Sequence, residues 1–237
     1  MGSADRRWAA SLVGCALFIF VTTKSPVVSA QTAPLVEIFD PCTLPAFPVE
    51  LAYHLVASCG LTLESGGVQN WRPVKSDLEN PDQGLLDFFQ NTASRRPTVD
   101  AGAINDLDAI AFPGVDQVHL QNGENYKPLA VMAVAAVISS GTRRGLWGDS
   151  VFDRGVALGS TIRTYSTGNS GDFSFSTGTL QVNDGGVAFD NFVPHIVYAT
   201  TGTNPDSNTM ISSRIGGFED LYFHGSVAEV VVFTGLP

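Results

Sequence analysis

The side chains that could move protons or hold an ion are few, and their spacing decides which chemistry is open to them. Carboxylates fall close together at Asp106-Leu107-Asp108, at Asp149-x-x-x-Asp153 and at Glu219-Asp220. Alternate positions of a strand share a face, so Asp106 and Asp108 would stand side by side. They sit in a loop-like stretch before an apolar strand, however, and read as a solvated turn, since exposed acids are the rule in loops. Glu229 is different: it interrupts the apolar run Val227-Ala228-Glu229-Val230-Val231-Val232. It is expected to take a local partner at a sheet margin. Glycoside hydrolysis needs two carboxyl groups about 5–9.5 Å apart, and no second acid lies near Glu229 in sequence.

The remaining chemistry-bearing residues are dispersed. His54, His119, His195 and His224 each lie in or beside an apolar strand, without the paired spacing of a metal site, and read as packed or half-exposed sheet histidines. Ser139-Ser140-Gly141 lacks the strand–elbow–helix context of a nucleophilic serine. Gly141-Thr142-Arg143-Arg144-Gly145 is a hairpin turn with no helix after it, so it offers no phosphate cradle. The sequence makes no positive case for an enzyme.

These groups are positioned by many short strands. The charged fraction is 15%, with 24 Gly and 13 Pro in 237 residues, a balance that favours strands joined by tight turns over amphipathic helices. Apolar segments recur at residues 51–59, 61–63, 68–71, 109–112, 117–120, 130–138, 145–147, 156–158, 162–165, 172–176, 179–182, 187–189, 195–200, 208–213 and 226–233. Turn signals such as Ser65-Gly66-Gly67, Asn122-Gly123 and Asn183-Asp184-Gly185-Gly186 separate them. Residues 85–90 read as a short helical turn. The near-continuous apolar runs at 130–138 and 227–233 belong in the middle of a sheet covered on both faces. The expected class is all-β, a two-sheet antiparallel sandwich. The net charge of −10 and scattered basic residues exclude a phosphate backbone as partner.

The N-terminus reads as an address. A polar start with Arg6 and Arg7, an apolar stretch over residues 8–21 and the exit Val28-Ser29-Ala30 have the three-part form of a secretory signal peptide, here residues 1–30. The apolar stretch is short of the roughly 20 residues a spanning helix needs, so a cleaved chain would keep no stable membrane span. Residues 31–49 carry Pro34, Pro41, Pro45 and Pro48 and form a Pro-rich extended arm, with 35–39 as a first strand. Once Cys15 leaves with the signal, Cys42 and Cys59 remain as an even pair, expected as a disulfide.

Several segments after residue 50 resemble, in order, the laminin-G-like and concanavalin-A-like jelly rolls. They are Val68-Gln69-Asn70-Trp71-Arg72 closing a Gly-Gly hairpin, Arg95-Arg96-Pro97-Thr98, Ile110-Ala111-Phe112-Pro113-Gly114-Val115-Asp116, the run at 129–138, and the closing stretch from Gly225 to Phe233. The resemblance covers residues 50–237. It implies that Trp71 packs under the hairpin and that Arg96-Pro97 marks a crossing between sheets. Pro113 stands where that family's Phe-Asp-Gly-x-Asp strand end has Asp. Glycosidases of this scaffold carry Glu-x-Asp-x-Glu on one strand, and no such triplet occurs.

The resemblance implies ligand binding through rim loops or a concave sheet. An aromatic platform with polar groups for a glycan is expected from Trp147, Tyr165, Phe218 and Tyr222, whereas Phe173 and Phe175 alternate as one inward face. Calcium is possible as a bridging ion, with Asp149 and Asp153, or Asp184, as ligands; no other cofactor is implied. Two function classes follow. One is a secreted, non-enzymatic module that recognises a glycan or another surface polymer. The other is a structural subunit, such as a virion coat, decoration or tail protein, that packs against copies of itself through the arm. A glycoside hydrolase of the same scaffold is a third and weaker alternative.

Overall fold

Small and β-branched residues dominate the two longest strands, β9 (Ala130–Val137) and β19 (His224–Phe233), and such residues suit a pleated surface covered on both sides. In the computed structural model β19 is the central strand of a seven-stranded sheet. The residues described are 42, 50–76, 87–115, 117–123, 125–138, 144–149, 154–158, 162–166, 180–182, 193–200, 210–211, 213–218 and 221–234, all within the unit Phe39–Pro237. One edge of β19 pairs with β9 from Gly225 to Phe233. Its other edge is shared: β6 (Leu107–Pro113) takes residues 224–227 and β1 (Leu51–Val56) takes residues 229–233. The hand-over coincides with a register shift between Val227 and Glu229 against β9, and Ala57 N–H closes the junction on Ala228 O at 2.8 Å. Outward lie β14 (Pro194–Thr200) and β13 (Leu180–Val182) on one side, β5 (Thr98–Ile104) on the other.

The second sheet has eight strands, in the order β12 (Ile162–Ser166), β11 (Arg154–Leu158), β10 (Arg144–Asp149), β16 (Ser213–Ile215), β7 (Leu120–Gln121), β4 (Phe88–Phe89), β3 (Gly67–Trp71) and β2 (Leu61–Glu64). Two small pairs complete the set, β8 (Asn125–Tyr126) with β15 (Met210–Ile211), and β17 (Gly217–Phe218) with β18 (Leu221–Tyr222). All pairings among the described residues are antiparallel. Their only helical piece is the 3-10 turn Ala93–Arg95.

One apolar core lies between the two sheets. Tyr53, Leu55, Ala133, Val227, Val230 and Val232 from the first meet Val68, Trp71, Phe88, Leu120, Trp147 and Ile215 from the second. Full burial of a large side chain contributes about 1.5–3 kcal/mol each, and Trp71, Trp147, Tyr53, Phe88 and Phe112 are all below 2% exposed. Their polar atoms are satisfied inside. Trp71 Nε1 donates to Val56 O at 3.0 Å, and Trp147 Nε1 donates to Tyr53 Oη at 2.6 Å. Tyr126 Oη donates to Tyr53 Oη at 3.0 Å and meets Ser213 Oγ at 2.5 Å. Burial holds the Tyr53 phenol near pKa 12 and the Tyr126 phenol well above its usual 10, so both stay neutral.

Several sequence expectations change here. The helical turn over 85–90 is replaced at Phe88 and Phe89 by strand, because Phe88 pairs with Trp71 and buries completely. Residues 98–104 form a strand outside the apolar segments of the sequence. It closes on β6 through Asn105 and Asp106, both at positive φ (52° and 65°); Asn and Asp tolerate that region better than other residues. Asp106 is therefore a turn residue, and Asp108 accepts from Gly102 N–H at 3.3 Å. Arg96 and Pro97 do lie where the chain passes from the eight-stranded sheet, at β4, to the seven-stranded sheet, at β5. Cys42 and Cys59 are bridged with a Cα–Cα distance of 5.8 Å, inside the range a disulfide requires. The signal-like segment and the arm otherwise lie outside the described residues. No helix among those residues is long and apolar enough to cross a membrane.

Candidate functional site

Short strands alternate their side chains, and in the middle of the eight-stranded sheet the outward positions are one aromatic and two polar residues. Phe88 points in and Phe89 out; Leu120 is buried and Gln121 half-buried; Ser213 and Ile215 are buried on either side of Arg214. The register then lines the outward residues up. Phe89 pairs with Gln121, and Gln121 pairs with Arg214, placing three side chains in a row across β4, β7 and β16, about 5 Å from neighbour to neighbour. His119 precedes Gln121 by two residues. Beyond Arg214 the hairpin β17–β18 brings Tyr222 alongside, fixed to β10 by Gly216 N–H donating to Leu146 O at 2.9 Å. Gly216 has φ +93°, and a Cβ there would meet the Phe112 ring at 2.1 Å, so only glycine lets the hairpin leave β16 at this angle.

The result is an open groove of about 530 Å³ on the outer face of the sheet, lined by Phe89, Gln121, Arg214 and Tyr222, by Gln117 and His119, and by the loop from Gln90 to Arg95. Buried groups hold that loop. Arg96, whose side chain is 4% exposed, donates from Nε to Gln90 O at 2.9 Å, from Nη2 to Asn91 O at 3.3 Å and from Nη1 to Glu64 O at 3.3 Å. Its ion pair with Glu64 closes at 2.5 Å. Gln90 spans the gap to the neighbouring loop, donating to His119 O at 3.1 Å and accepting from Thr92 N–H at 3.1 Å. Below the floor, Ser213 N–H donates to Asn122 Oδ1 and Asn122 N–H to Ser213 O, each at 3.0 Å, pinning the β7–β16 register that sets Gln121 beside Arg214.

The groove is cationic in an acidic protein. Arg95 and Arg214 both contribute to it, and among the described residues neither forms an ion pair with a carboxylate. Burial, then Arg214 and to a smaller extent Arg95, push the His119 imidazole down to about 4, opposed by its hydrogen bond to Gln121. At neutral pH His119 is uncharged. Two atoms of the lining are out of solvent without a hydrogen-bond partner, the donor Arg214 Nε and the acceptor Gln117 Oε1. Such an orphan costs about 1–3 kcal/mol. Gln117 also holds φ +67°, an uncommon conformation for a residue with a Cβ and one that clusters at ligand sites. No protein-family model, curated protein or solved structure matches this chain.

Of the residues expected to form a platform whose side chains are described, Tyr222 lines the groove and Trp147 does not. Trp147 is a correction. Its indole is 0% exposed in the core and its N–H is used by Tyr53, so it cannot face a ligand; the small Gly155 opposite Gly148 lets β11 close over that strand. Asp149 is likewise 0% exposed, enclosed beside Ser213 rather than at a rim, where an ion would be reached from solvent. The side chains of Tyr165 and Phe218, and Asp153 and Asp184 altogether, lie outside the described residues. Among the described residues no group of three or more His, Cys, Asp or Glu could hold a metal. Sequence reasoning missed Arg214, Arg95 and His119. The signal was faint: a polar residue beside a single apolar one, Arg214 before Ile215 and Gln121 after Leu120.

Proposed function

We propose that this protein is an exported, non-enzymatic binding module that recognises a glycan or another surface polymer in the groove over β4, β7 and β16. The observation that carries this reading is the lining itself, where planar amide and guanidinium groups of Gln117, Gln121 and Arg214 stand beside the rings of Phe89 and Tyr222. Recognition sites of this kind combine apolar or aromatic surface with a few placed polar groups that fix orientation. Planar groups can bridge vicinal hydroxyls while a ring lies against a sugar face. The order of segments resembling laminin-G-like and concanavalin-A-like jelly rolls over residues 50–237 supports the reading, as that architecture presents its sheets to ligands. The signal-like residues 1–30 and the Cys42–Cys59 bridge fit an oxidising, extracellular compartment.

The test is calorimetric titration of the purified protein with oligosaccharides of neutral, acidic and sulfated classes, followed by chromatography of the recovered sugar. Saturable binding that Gln121→Ala and Tyr222→Ala weaken, with the oligosaccharide recovered intact, is the expected result. Sugar returned in shorter fragments would overturn the non-enzymatic part of the proposal. Saturable binding unaffected by either variant would move the site elsewhere.

A further inference from the structure

The groove's chemistry narrows the class of sugar. We propose that its ligand is an acidic sugar, whose carboxylate is taken by Arg214 together with Arg95 and whose hydroxyl donates to Gln117 Oε1. This rests on the glycan-binding reading of the groove. The unliganded protein holds there one buried donor and one buried acceptor without partners, Arg214 Nε and Gln117 Oε1. A fully deprotonated inorganic anion such as sulfate would answer the first and leave the second, having no proton to give. A neutral sugar would answer the second and leave the two guanidiniums without a counter-charge. A sugar acid supplies both on one rigid ring, and the planar guanidinium fork matches a carboxylate in shape as well as charge.

The placement of charge agrees. The chain carries 23 acidic against 13 basic side chains, yet the described lining has Arg95 and Arg214 and no carboxylate. Gln121, directly opposite Arg214 in the register, occupies the position where an acid would have neutralised it. Arg214 stands on a paired strand whose register Asn122 and Ser213 fix, so the cation is preset before ligand arrives. Arg95, on the exposed 3-10 turn, is placed to close on the ligand from the other wall.

The experiment uses the intact protein with tetragalacturonate and sialyllactose, their methyl esters, maltotetraose and dextran sulfate. The methyl ester keeps the shape of each acid and removes its charge. At least one acid should bind, its ester at least tenfold more weakly. Arg214→Gln and Gln117→Leu should each lose tenfold or more, with unchanged circular dichroism. Because Arg214 is on a core-backed strand, Arg95→Gln on the exposed turn gives a second variant whose folding is not at stake, expected to lose about threefold to tenfold. Esters and maltotetraose binding as well as the acids would overturn this inference and leave the glycan-binding reading standing. Dextran sulfate preferred over both carboxylates, or acid binding indifferent to Arg214→Gln and Arg95→Gln, would also overturn it. Failure of every sugar to bind would overturn both.

Discussion

His54 and Glu229, 175 residues apart in sequence, meet with Nε2 and Oε1 2.6 Å apart. The imidazole is 1% exposed and the carboxylate about a third exposed at 32%. They are diagonal neighbours, since His54 pairs with Val231 and Val56 with Glu229 between β1 and β19. The acid in the closing strand thus has a local partner, as its sequence setting suggests. The margin is not where it lies: Glu229 stands in the central strand, beside the bulge where β6 gives way to β1. What partners it is an imidazole, not a second carboxylate.

Removing either half should expose that dependence. His54→Ala deletes a buried ring and leaves Glu229 without this contact, and should destabilise by about 2–3 kcal/mol, given what a buried polar partner and its packing are worth. Glu229→Gln keeps an acceptor for the imidazole and should cost less than about 1.5 kcal/mol. Urea denaturation of the two variants and the double variant measures the coupling. Equal costs for both single variants, with full additivity, would mean the contact contributes nothing.

The Cys42–Cys59 bridge closes a sequence separation of 17. Loop-closure entropy for that length gives about 3 kcal/mol of stabilisation. The Cys42→Ser, Cys59→Ser variant should therefore show a lower denaturation midpoint with an unchanged sheet spectrum, and dithiothreitol should reproduce the shift in the wild type. A thiol assay on the unfolded, unreduced protein lacking residues 1–30 should find no free Cys42 or Cys59.

Alkaline pH should unfold the protein through its buried phenols. Tyr53 is held near pKa 12 by burial, against 10 when unfolded, while its hydrogen bonds from Tyr126, Ser213 and Trp147 pull the other way. A group whose folded pKa is raised contributes stability below the unfolded value and loses it as pH climbs through the folded one. Stability should therefore be level up to about pH 10 and fall between 10 and 12. Tyr53→Phe should flatten that fall, although it removes the acceptor of Trp147 Nε1 and lowers stability at neutral pH. Phenolate absorbance against pH, followed with denaturation midpoints, reads both.

The acid limb should report the groove. His119 sits near 4 rather than 6.5, through burial first and Arg214 next, with Arg95 adding and Gln121 opposing. Its folded pKa lies below its unfolded one, so the unfolded chain binds more protons between them and stability falls as pH drops from about 6.5 to 4. Above 6.5 His119 contributes no slope. Arg214→Gln should raise the His119 pKa, visible as a shifted imidazole resonance in NMR titration, and soften the loss below pH 6. An unmoved resonance would show that Arg214 does not press on this ring.

Much of the architecture is local enough to be read from residues in order. The Ser65-Gly66-Gly67 turn appears as the β2–β3 hairpin, with Ser65 and Gly66 at positive φ, because turn geometry depends on two residues and their freedom to adopt it. The apolar runs at 130–138 and 227–233 become β9 and β19, paired in the middle of a sheet, because a strand with no polar face must be covered on both. The pairing of Cys42 with Cys59 followed from parity once Cys15 was set aside. Chain order alone says nothing, however, about which strands are neighbours. Arg214, Gln121 and Phe89 come from β16, β7 and β4, and they form a floor only because non-consecutive strands lie side by side in one register. Trp147, at the end of the apolar segment 145–147, reads in sequence as a platform aromatic and is buried, since period-two alternation says that successive residues face opposite ways but not which face is covered. That choice belongs to the second sheet, and with it the choice of which polar residues are left outside to meet a ligand.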